Sequence, residues 1–60
     1  MKGEEDFFKV YANVPLDERK NVLVVIDGNH ISWNLAYEYM KNKTSDAEKI
    51  LKTLNEIGII

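Results

Sequence analysis

Asp27 and His30, three residues apart, are the side chains in this 60-residue chain whose types and spacing come nearest to chemistry. A carboxylate beside an imidazole can hold a divalent metal, or can serve as general base and orienting acid in a proton transfer. His30 is the chain's one histidine, however, and there is no cysteine. A lone histidine does not make a structural zinc site. A surface histidine in a turn is therefore the favoured reading, with no catalytic residue, no metal and no cofactor expected. No serine lies in a nucleophile motif, and Gly3, Gly28 and Gly58 are too scattered to form a phosphate-binding loop.

The stretch around Asp27, VVIDGNHI, resembles the first strand and turn of NYN and PIN-type nucleases. In that family a hydrophobic strand ends in Asp-Gly-Asn-like residues, and the aspartate helps to hold a divalent metal for phosphodiester hydrolysis. The resemblance implies that Asp27 is a metal ligand in a nuclease-like protein. It ranks behind two other readings because the later acids, Glu38, Asp46, Glu48 and Glu56, fall on expected helix surfaces.

The element that must carry Asp27 is a strand. Val22 to Ile26 are five consecutive apolar residues, four of them β-branched, and such side chains suit a pleated surface better than a helix. The Asp27-Gly28 pair is a strong hairpin signal, with Asn29 open to a further turn position and His30 to Ser32 expected to return antiparallel. Alternation would put Val22, Val24 and Ile26 on one face and Leu23 and Val25 on the other. Both faces are then apolar, so either helices cover both or a second protein molecule does.

Around this hairpin, about residues 21–32, the pattern predicts helices. Phe7, Val10, Tyr11 and Val14 follow the spacing of one buried face in a helix from Gly3 or Glu4 to about Ala12. Phe8 falls just off that face. Pro15 ends this helix and could begin a short helical turn to Lys20. Ser32 is placed to cap a helix over about 33–42 whose apolar set, Trp33, Leu35, Ala36, Tyr37, Tyr39 and Met40, is wide enough to be contacted on several sides. Ser45 and Glu48 fit a capping box that opens a last helix over about 45–57, with Ala47, Ile50, Leu51, Leu54 and Ile57 as its stripe and Gly58 as its left-handed stop. The expected fold is a small α+β single domain over 1–60: a helix, a short helical turn, a two-stranded antiparallel hairpin and two C-terminal helices.

A domain this short buries only about 60% of the surface its unfolded chain exposes. Without disulfides, association is the reinforcement left to it. The net charge of −2 argues against binding nucleic acid through bulk positive charge. The start, MKGEED, lacks the basic character of a signal peptide, and no run approaches the length of a membrane span. A cytoplasmic location is expected. Abundant Lys, Glu, Ile and Asn with no Gln would suit a thermophile.

These features favour a non-enzymatic protein–protein interaction module, homodimeric or paired with another protein. Two hairpins would join into a four-stranded sheet through an exposed edge, with Leu23, Val24, Val25, Ile31 and Trp33 as contact residues. The alternative is a small DNA-binding regulator built on the two C-terminal helices, reaching phosphates through Lys41, Lys43, Lys49 and Lys52. Against it stand Asp46, Glu48 and Glu56 on the helix that would face DNA. The aromatics Phe7, Phe8, Tyr11, Trp33, Tyr37 and Tyr39 could stack on bases, but most fall on stripes already assigned to the core.

Overall fold

Asp27 and Gly28 turn the chain as their residue types require. In the computed structural model, which describes residues 3–60, φ is 51° at Asp27 and 82° at Gly28. Two successive positive values are the signature of a type I′ turn, the connection whose twist matches that of a hairpin. The turn joins β1 (Val22–Ile26) to β2 (Asn29–Ser32) in a two-stranded antiparallel sheet. Asn29 pairs with Ile26, so the return strand starts one residue earlier than expected. A two-residue turn leaves Asn29 no turn position to fill.

The register continues through Val25 with His30 and Val24 with Ile31, then shifts so that Val22 pairs with Ser32. Leu23 is the extra residue of a β-bulge, and a bulge breaks alternation. Ile26 packs on the core with Val24, which is 9% exposed, as alternation expects, and the bulge adds Leu23 to that side, whereas Val22 and Val25 remain 55% and 52% exposed. The expected division of β1 is corrected at its start, where Val22 and Leu23 exchange faces. Helices cover one face of the hairpin, and the other carries Val22 and Val25 into solvent.

Helix α1 (Glu4–Ala12) begins with three acids at the positive end of its dipole. Its Phe7 is wholly buried, while Val10, Tyr11 and Val14 are half-buried. Phe8, although off the stripe, also packs on the core. Pro15 caps a 3-10 turn, Leu16–Glu18, rather than forming its first residue, because its ψ of 144° is extended. Arg19 then closes this connection. Its Nε donates to the Val14 carbonyl at 3.0 Å, and its guanidinium carbon lies 4.3 Å from the Tyr11 ring centroid.

Helix α2 (Trp33–Lys41) is capped as its sequence predicts, the Leu35 N–H donating to Ser32 Oγ at 3.0 Å. It buries Ala36 and Met40 and packs against α1, both strands and α3. Its wide apolar set thus meets several partners. Phe7 stacks on Trp33 at 6.2 Å and on Tyr11 at 6.0 Å, and Tyr11 stacks on Tyr37 at 4.6 Å. Phe8 completes this cluster edge-on to Tyr37.

Helix α3 (Ser45–Glu56) buries Ala47, Ile50, Leu51 and Leu54. Its N-cap is Thr44, not Ser45, so the expected capping box does not form at that register. The reason lies at the end of α2, where the N–H groups of Lys43 and Thr44 bond back to the carbonyls of Met40 and Tyr39, both at 3.2 Å. This Schellman arrangement places Thr44 in an extended conformation with α3 starting at the next residue. Thr44 Oγ1 donates to the Tyr39 carbonyl instead of capping α3. The same motif ends α3, with Gly58 at φ 83° and the Ile59 N–H reaching the Leu54 carbonyl at 3.0 Å. Ile57, counted on the buried stripe by its spacing, is 57% exposed because it is the C-cap residue, where the helix has ended.

Lys43 holds φ at 53°, the left-handed region that a side chain occupies at a cost. Lys43→Gly should raise unfolding stability by about 0.5–1 kcal/mol, after allowing for the greater unfolded-state freedom of glycine, as read from the urea midpoint at constant m-value. Phe7→Ala should cost about 3–5 kcal/mol. For a domain this small that is most of its stability, so loss of a cooperative thermal transition is the expected readout.

Candidate interaction surface

The hairpin exposes backbone as well as side chains. In a β-turn the residues flanking the two central positions share a hydrogen bond, so Ile26 and Asn29 form a bonded pair. Bonded and non-bonded pairs alternate along an antiparallel ladder, which makes Val25 and His30 the next, non-bonded pair. Their N–H and C=O groups point away from each other, toward the two edges of the sheet. Among the described residues the sheet has two strands, so both edges lack a further strand.

The five residues singled out for contact separate by burial. Val24 and Ile31 lie inside the core, and Leu23 and Trp33 pack half-buried against it. Val25 stands on the outer face. A Val24 substitution therefore probes the core, whereas Val25 probes the surface. Sequence reasoning passed over Val22, which reaches the outer face because Leu23 takes up the bulge. It also passed over Leu16, 79% exposed on the 3-10 turn, and Leu35 in the first turn of α2. Leu16 was visible only as an apolar residue with no periodicity to place it, and Leu35, counted in the wide apolar set of α2, is 37% exposed.

Asp27 and His30 are not brought into one site. Asp27 Oδ2 lies 3.5 Å from Lys49 Nζ, both side chains largely exposed. His30 is an exposed residue of β2 rather than of the turn. Among the described residues, no group of three or more His, Cys, Asp or Glu side chains is placed to hold a metal ion. The aromatics are engaged chiefly with one another: five rings form the cluster between α1 and α2, and Tyr11 Oη donates to Asn34 Oδ1 at 2.8 Å. Lys41, Lys43, Lys49 and Lys52 are exposed, and so are Asp46, Glu48 and Glu56. The surface of the α2–α3 pair thus presents interspersed charges of both signs. Among the described residues no helix is long and apolar enough to cross a membrane.

Compared with known proteins, the chain matches no family model, no curated protein and no solved structure. Its surfaces have to be interpreted from their own chemistry.

The Asp27–Lys49 contact, being exposed, should contribute little. Lys49→Ala should change stability by at most about 0.5 kcal/mol. Gly28→Val, in contrast, forces a β-branched residue into positive φ and should cost well over about 1 kcal/mol. Equal effects of the two substitutions in a denaturant titration would contradict this assignment of what holds the turn.

Proposed function

We propose that this chain is a non-enzymatic protein–protein interaction module that associates with a second copy of itself through its hairpin. The observation that carries the reading is the uncovered half of the sheet. An outer face with Val22 and Val25 about half exposed adjoins two open strand edges. Proteins commonly blunt such edges with lysine, proline or a covering element. Neither strand here contains lysine or proline, and the bulge at Leu23 distorts only the far end of β1. Pairing two hairpins gives four strands, where a lone two-stranded hairpin is marginal.

The small core supports the same reading. Among the described residues nine make up the buried apolar core, two of them alanines, and an added interface would enlarge it. Sedimentation across a dilution series tests it. The expected result is a transition between one and two times the chain mass of 7.0 kDa. A mass that stays at one chain up to the solubility limit would overturn the proposal.

A further inference from the structure

The two edges of the hairpin have different surroundings. Beside β1 runs a groove, walled on one side by the run from Val25 to Asp27 and on the other by Lys49, Lys52, Thr53 and Glu56 of α3. Those four positions follow the i, i+3, i+4, i+7 spacing of one helix face. Along it the charges fall in order, two cations first and then Glu56. A two-fold axis across the groove reverses that order in the second copy, so that a residue i meets j while j meets i. Lys49 is already engaged with Asp27 at 3.5 Å. Lys52 and Glu56 are left to meet reciprocally.

We infer that the β1–α3 groove is where the second copy docks. The two β1 strands pair antiparallel about an axis at Val25, and Lys52 of each copy lies against Glu56 of the other. This rests on the self-association reading and adds the edge, the register and the charged contacts. The Val25 N–H of each copy donates to the Val25 carbonyl of the other, satisfying the groups that the non-bonded pair turns outward. Across the outer face the row becomes His30, Val25, Val25, His30, with the two valines side by side at its centre. Each α3 flanks its own β1, so the two helices run antiparallel beneath the joined strands with their charged flanks opposed. The β2 edge offers no equivalent, because a two-fold axis at the same level there sets imidazole against imidazole.

The test is a charge swap, read by sedimentation across a dilution series at low salt. Both positions are exposed, so Lys52→Glu and Glu56→Lys should leave the circular dichroism spectrum unchanged, while the Tm falls only as far as the lost association lowers it. Each alone creates two like-charge contacts and should raise the dissociation constant about tenfold. The double variant restores opposite charges and should return to within about threefold of the parent. A synthetic chain N-methylated at Val25 should be monomeric, while N-methylation at His30 should leave the dimer intact. A parent dimer indifferent to the single reversals and to N-methyl Val25, or a double variant no tighter than the singles, overturns the groove assignment and leaves self-association standing. A parent chain that is monomeric throughout overturns both.

Discussion

The buried ring of Phe7 is the contact on which this fold depends. It is fully excluded from solvent and stacks on Tyr11 from its own helix and on Trp33, the first residue of α2. Trp33 follows Ser32 directly, and Ser32 both pairs in the sheet and caps α2. One aromatic side chain thus connects the N-terminal helix to the point where the hairpin becomes a helix. Aromatic residues bury large areas for few rotatable bonds, which is why a chain with so small a core concentrates them here. Without that ring, the aromatic contacts of α1 with α2 would reduce to Phe8 edge-on to Tyr37 and Tyr11 stacked on Tyr37.

Much of the architecture was legible because the signals are local. Asp27-Gly28 fixes a two-residue turn by backbone preference alone. Ser32 and Gly58 mark helix ends through bonds made within a few residues. Where two local signals compete, one sequence cannot rank them. Ser45 and Glu48 spell a capping box, yet the C-terminal motif of α2 claims Thr44 first and starts α3 one residue early. The bulge at Leu23 was illegible for another reason. Every residue of β1 is apolar, so the pattern contains no polar position to show where alternation breaks.

The candidate surface was legible in kind and not in detail. A five-residue apolar strand announces more hydrophobic surface than its hairpin can hide. Which of those side chains stays outside depends on the bulge and on where α2 and α3 come to rest, both tertiary outcomes. Val25 fell on the expected list and is exposed; Val24 and Ile31 fell on it and are core. The charged flank of α3 appeared in the sequence as a helix surface of mixed sign, with Lys49 and Lys52 open to phosphates and Glu56 against them. It gained meaning once its neighbour was known to be the open edge of β1.

Arg19 joins elements that the chain order separates. Its side chain holds the carbonyls of Ala12 and Val14 and covers Tyr11 in α1, while its own carbonyl accepts from the Asn34 N–H in α2. Two helices are thereby latched through a single residue of the connection between them. Fluctuations that open a protein locally follow the units such ties define. Fraying of α1 therefore frees the side chain of the residue whose carbonyl holds the first turn of α2, and the two events are tied through Arg19. The hairpin tip and α3 take no part in that latch.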